Sequence, residues 1–271
     1  MTPYVFFLDI DDTILYKKDP ASPSVISDRV VDTMKAAREK GHYVFINTGR
    51  APSYFDDLIR SLPVDGYVCG CGAYVLIGEE TVYRAKYPSE AIYRWMKRLS
   101  KPGDPGIVAE GEQRIFRYRN SYWTPKEGWI LSDDPEDYRA YQQDDPTVKA
   151  SICNDLPEDR KKEILEELKK DFNVIHHPTE HYTECCAKGC SKATGMELVM
   201  KHYGLDLSRS VAIGDSENDL DMITAAGIGI VMGQARDEIK RYADRITDDI
   251  LHDGAATAME ALMKEAEENE A

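Results

Sequence analysis

The segment Tyr4–Leu8 is an unbroken apolar run that stops at a carboxylate, Asp9. A run this short, with no polar residue at alternate positions, fits a strand buried on both faces inside a parallel sheet. The pattern recurs along the chain. Residues 43–47 (YVFIN) lead into Thr48-Gly49-Arg50, and another strand is expected at 66–69. Residues 210–214 (SVAIG) stop at Asp215 and are followed by GIGIVM at 227–232. Helical spacing separates these runs. Over about 28–40, Val30, Val31, Met34 and Ala37 share a face, with Ser27 or Asp28 as cap and Gly41 as stop. Further helices are predicted at 52–61, 191–203 (ended by Gly204), 218–226, 236–243 and from 255 onward. Strand and helix in alternation predict an α/β fold with right-handed crossovers.

Residues from about 82 to 184 differ in character. They are rich in Tyr, Arg, Asp and Pro, with alternating stretches such as RIFRYR and one strong helical run at 157–172. This predicts an inserted α+β domain at 82–185, set within a core made of 1–81 and 186–271. The formal net charge of −15 argues against nucleic acid or an anionic membrane as the main partner, because both need a basic surface. No stretch reaches the length of a membrane span, and the N-terminal apolar run meets acids at once, so a cytoplasmic protein is expected. The six cysteines fit reduced thiols there. His176, His177, His181, Cys185, Cys186 and Cys190 crowd one segment but lack paired zinc-ligand spacing; two neighbouring strands with ordinary side chains are expected instead.

In an open α/β sheet, ligands bind beyond the carboxyl ends of the strands. Three strand ends carry polar groups here: Asp9 with Asp11 and Asp12, Thr48 with Arg50, and Asp215 with Asn218 and Asp219. Acids gathered at one sheet edge repel one another unless a hard cation sits among them. Oxygen ligands without His or Cys suit Mg²⁺. A metal held by few carboxylates leaves room for water and a substrate phosphate, the layout of a phosphoryl-transfer centre.

Four motifs then stand in order. They are Asp9-Ile10-Asp11-Asp12-Thr13-Ile14-Leu15, Thr48-Gly49-Arg50, Lys192 within Lys188-Gly189-Cys190-Ser191-Lys192, and Gly214-Asp215-Ser216-Glu217-Asn218-Asp219. The chain resembles the haloacid dehalogenase (HAD) superfamily, and within it the Cof-type phosphatases with a large C2-type cap. The resemblance covers about 1–80 and 186–271. It implies a Rossmann-like parallel-sheet core with an inserted α+β cap that selects substrate and closes over the site, hinged near 80–86 and 184–190. Asp12 stands where the family often has Gly, and Cys71 stands at the Asn position of a family loop.

The resemblance also implies roles. Asp9 is the nucleophile that forms an aspartyl-phosphate, and Asp11 the acid and base. Thr48, the Gly49 amide, Lys192 and Asn218 hold the phosphoryl group. Asp9, Asp11 through its backbone carbonyl, Asp215 and Asp219 serve Mg²⁺. Lys188 is expected at the surface, and Cys71 as a small buried filler. Arg114, Arg117, Tyr118, Arg119, Tyr122 and Trp123 either meet the substrate or form an ordinary sheet face. The expected substrate is a small phosphorylated metabolite, of the sugar-phosphate kind, handled by a monomer or homodimer. A phosphomutase and a non-catalytic regulator that binds a phosphometabolite stand as alternatives.

Overall fold

The computed structural model describes residues 2–19, 21–101, 103–119, 124–153, 156–176 and 181–268. The chain divides into two compact units. One comprises Met1–Gly49, Asp57–Tyr83 and Ser191–Ala271, the other Arg50–Asp56 and Arg84–Cys190. No helix among the described residues is long and apolar enough to cross a membrane.

The first unit is built on a mixed sheet. Its strands are β1 (Val5–Leu8), β2 (Tyr43–Asn47), β3 (Gly66–Cys69), β4 (Tyr74–Ile77), β5 (Glu80–Arg84), β6 (Ser210–Gly214), β7 (Ile228–Val231) and β8 (Arg245–Ile246). They lie in the order β8-β7-β6-β1-β2-β3-β4-β5. From β8 to β3 every pairing is parallel, and β3 meets β4 antiparallel. β1 sits at the centre with all four residues buried, as its unbroken apolar run requires. On one face Val5, Phe7, Phe45, Val68 and Ala212 pack with Met196, Val199 and Met200 of a helix α2 (Lys192–Tyr203). Elsewhere α1 (Asp28–Glu39) packs on the C-terminal helix Gly254–Glu268, and Arg29 pairs with Glu260.

Local chemistry sets the helix ends. The Ser27 side chain accepts from the Val30 amide at the start of α1. Ser191 and Thr194 form a reciprocal capping box at the start of α2, and Gly204 ends it in the left-handed conformation. The helix predicted over 52–61 is instead a 3-10 turn, Pro52–Tyr54, and a short α-helix, Asp57–Arg60, separated by an extended Phe55. Tyr54 stacks edge-on against Trp129 at 5.9 Å, so a partner distant in sequence overrides the local helical pattern. The predicted helix at 236–243 shortens to Asp237–Lys240.

The second unit contains a six-stranded sheet in the order Ile130–Ser132, Ile115–Tyr118, Ile107–Glu110, Lys149–Cys153, Tyr182–Cys186, Asn173–His176. The first pair is parallel and the rest antiparallel. Phe116 packs against Tyr138 and Tyr141 of the helix Pro135–Asp144. The opposite side of the pleat carries Glu110, Lys149, Ser151 and Glu184, all buried.

His176 and the cysteines 185 and 186 lie on the two expected neighbouring strands, where His176 Nδ1 meets Thr183 Oγ1 at 3.1 Å. His177, Tyr122 and Trp123 lie outside the described residues. All six cysteines are buried thiols. Lys188 is exposed and donates to the Lys170 carbonyl.

Candidate active site

Asp9 is the first residue beyond β1. Its amide donates to the Ile213 carbonyl of β6 at 3.0 Å, so it continues the sheet by one bond. It is only 4% exposed. The chain then folds into a tight turn in which the amides of Ile14 and Leu15 both donate to the Ile10 carbonyl. Asp12 takes a left-handed conformation, φ 57°, which Asp tolerates better than most residues. Gln234 Nε2 donates to the Asp12 carbonyl, and Thr13 Oγ1 reaches Asp215 Oδ1 at 3.4 Å.

Lys192 opens α2 and is 1% exposed. Its Nζ donates to Asp9 Oδ1 and to Asp219 Oδ1, both at 2.6 Å, and reaches Asn218 Oδ1 at 3.5 Å. Burial alone would pull the ammonium pKa down. Asp219 and Asp9 more than offset it and hold the lysine charged.

Asp219 is fully buried, and its second oxygen accepts from the amides of Asp215 and Ser216 at 2.9 and 3.1 Å. This fold-back needs Gly214: a Cβ there would come within 2.4 Å of Asp219 Cγ. One carboxylate oxygen from each of Asp9, Asp215 and Asp219 lies within 4.8 Å of the others. Burial raises the Asp9 carboxyl well above its usual range, with Lys192 opposing and Asp219 and Asp11 adding. Burial, then the charges of Asp219 and Asp12, push Asp215 up to about 7. Three crowded carboxylates against one ammonium leave an excess of negative charge. Their all-oxygen donor set fits a hard divalent cation such as Mg²⁺. The Asp11 side chain is exposed.

Thr48 is the first residue beyond β2 and is 1% exposed; its amide donates to the Val68 carbonyl at 2.8 Å, and its carbonyl accepts from the Cys71 amide at 3.2 Å. Cys71 is buried with φ 52°. Gly72 beside it touches the residue before Lys192: a Cβ on Gly72 would lie 2.0 Å from the Ser191 carbonyl oxygen. The loop 69–73 therefore backs the start of α2. All of Asp9, Thr48, Gly49, Lys192, Asp215, Asn218 and Asp219 fall in the first unit.

A family model for haloacid dehalogenase-like hydrolases matches residues 6–259. The chain belongs to the haloacid dehalogenase-like hydrolase family. It is accordingly a hydrolase, of the phosphatase branch that acts on phosphoric monoesters. The Bacillus subtilis protein YkrA is 28% identical over 264 residues, covering 97% of this chain and 98% of that protein. The 5-amino-6-(5-phospho-D-ribitylamino)uracil phosphatase YcsE of the same organism is 27% identical, covering 93% and 92%. Among solved structures, the HAD subclass IIB sugar phosphatase BT4131 superposes with a TM-score of 0.78 at 25% identity, covering 96% of this chain and 98% of that one.

Membership in the HAD family gives two departures a physical meaning. Asp12 and Cys71 stand at positions where Gly and Asn were expected, and both adopt positive φ. Gly and Asn are the residues that enter this region most easily, so the backbone here suits the residues expected at both positions. Sequence reasoning gave no role to Asn47, Thr13, Asp221 or Gln234. Each acts through a hydrogen bond to a residue far along the chain or to its backbone. The signal within reach was adjacency to a motif: Asn47 precedes Thr48, Thr13 lies in the first motif, and Asp221 follows Asp219 by two.

Proposed function

We propose that this phosphatase hydrolyses small phosphorylated metabolites of the sugar-phosphate kind, with Mg²⁺ as cofactor and Asp9 as nucleophile. The observation that carries this is the Asp9 carboxylate, buried at the end of the central strand, bonded to Lys192 and clustered with Asp215 and Asp219. The substrate class draws support from relatives, whose names give phosphoribitylaminouracil and pyridoxal phosphate phosphatases and a sugar phosphatase.

Asp9, Asp215, Asp219 and the Asp11 backbone would hold the metal. When bound, it neutralises charge on the phosphoryl oxygens. An Asp9 carboxylate oxygen attacks phosphorus, the ester P–O bond breaks, and an aspartyl-phosphate forms. Asp11 gives its proton to the departing alkoxide oxygen. It then takes a proton from water, whose oxygen displaces the Asp9 carboxylate and releases inorganic phosphate. Lys192, buried and charged, stabilises negative charge on Asp9 and on the transferring group. Thr48, Gly49 and Asn218 donate to the phosphoryl oxygens. The second unit is assigned the choice of leaving group.

Phosphate release from a panel of phosphorylated metabolites, with Mg²⁺ and with a chelator, tests this. Release is expected only with metal and only from the wild type, not from Asp9→Asn. Absence of release from every ester by folded, metal-loaded protein would refute it. Isomerised product in place of free phosphate would make the protein a mutase.

A further inference from the structure

The peptide group that joins Lys192 to Ala193 is gripped at both its carbonyl and its amide by two side chains outside the four motifs. Asn47 Nδ2 donates to the Lys192 carbonyl at 2.9 Å, and Asp221 Oδ2 accepts from the Ala193 amide at 3.2 Å. Asn47 is the last residue of β2, immediately before Thr48, and is fully buried. Asp221 lies two residues beyond Asp219, which holds the other end of the same lysine through Nζ. Lys192 is thus fixed at its ammonium and at its backbone by one short segment, and against the central sheet by another.

Asn47 is an expensive way to fill a core position. Only its amide NH₂ can face a carbonyl, and its Oδ1 is then buried without a hydrogen-bond partner among the described residues. An orphaned amide oxygen lowers stability, and an apolar residue of similar volume would avoid the loss. The remaining benefit is directional. The bond to the Lys192 carbonyl fixes where α2 begins, and hence where a long, flexible side chain reaches. Asp221 serves the same end by capping an amide that the first turn of a helix leaves open. The Ser191–Thr194 box closes the next one.

We propose that Asn47 and Asp221 are positioning residues for Lys192, a two-point backbone clamp that aims its ammonium at Asp9. The inference rests on the role given to Lys192 above. Neither clamp residue is assigned any contact with substrate.

The test uses the full-length enzyme, saturating Mg²⁺ and p-nitrophenyl phosphate. Asn47→Leu should lower kcat roughly 10- to 100-fold with KM within about threefold, the size expected from a reacting group displaced by about an ångström. Its thermal midpoint should stay at or above that of the wild type, because the orphaned oxygen is gone. Asp221→Ala should lower kcat roughly tenfold, and Asp221→Asn, which keeps an acceptor oxygen, should restore it. In a Lys192→Met background, Asn47→Leu should cause no further loss, since a clamp without its lysine has nothing to aim.

Wild-type kcat in Asn47→Leu beside an impaired Lys192→Met would overturn the clamp alone. So would a full additional loss in the double variant. Wild-type kcat in Lys192→Met would instead overturn the role of the lysine, and the clamp with it. If Asn47→Leu does not fold, the Asp221 pair decides: equal kcat in Asp221→Ala and Asp221→Asn overturns the clamp.

Discussion

Among the described residues two lysines are buried between pairs of carboxylates, and they are built differently. Lys192 lies between Asp9 and Asp219, at 2.6 Å from each. Lys149 lies between Glu184 at 2.8 Å and Glu110 at 3.5 Å. The Lys149 group sits within one sheet, on adjacent strands in register: Lys149 stands opposite Glu110, and Ser151 opposite Glu184. Side chains directly across a ladder pair by geometry alone. The Lys192 group gathers instead from the ends of β1 and β6 and the start of α2, where strands stop and no ladder partner exists. A third acid, Asp215, adds to it. A ladder group can approach neutrality by protonating one acid. A strand-end group with surplus acid is the one we propose to bind a cation and a substrate. The same ion triad is therefore a structural element in one place and the proposed chemical centre in the other.

The sharpest test of that contrast is the nucleophile. Asp9→Asn should reduce turnover by about 10³-fold or more while leaving the circular dichroism spectrum unchanged; turnover within tenfold of wild type would remove Asp9 from the chemistry. The lysines come next. Lys192→Met should lower kcat roughly 10²- to 10³-fold. Lys149→Met leaves two buried acids facing each other and should destabilise the fold by about 3–5 kcal/mol in urea denaturation. A Lys149→Met protein as stable as wild type would break the comparison.

The third prediction concerns pH. Burial, against the opposing pull of Lys149, raises the Glu110 carboxyl from 4.5 to about 7. Between those values the folded chain keeps a proton that the unfolded chain has released. The stabilising contribution is thus complete below about pH 4.5 and is lost as the pH rises to about 7, a swing of about 3 kcal/mol. Glu110→Gln should flatten the fall in thermal midpoint across this window, and parallel curves for variant and wild type would show that Glu110 keeps an ordinary pKa. The smallest effect is expected from Ser151→Ala, which removes the hydroxyl that donates to Glu110 Oε1 at 3.1 Å. It should cost about 1 kcal/mol. A loss several times larger would mean that the hydroxyl, rather than Lys149, holds the group together.

Much of the first unit was legible from sequence. Continuous apolar runs located β1, β2, β3 and β6, and Ser27 and Gly204 marked helix ends, because these signals act within a few residues. The helix predicted over 52–61 failed because Tyr54 answers to Trp129, over seventy residues away. The Lys149 group was invisible for a similar reason. In TVKASIC a lysine among small and apolar residues looks like an edge or surface position, and only strand register brings Glu110 and Glu184 alongside it.

The sequence by itself determined the residue types at the strand ends. Asp9, Thr48 and Asp215 follow apolar runs, and that order alone places carboxylates and a hydroxyl at one edge of a parallel sheet. Only the tertiary structure decided how they meet. It put Lys192 between Asp9 and Asp219, folded Asp219 back over Gly214, and set Asn47 and Asp221 on the backbone around Lys192. The physical reason is range. Propensity and capping are decided by neighbours in the chain, whereas a hydrogen bond between residues 47 and 192 exists only once the sheet has brought them together.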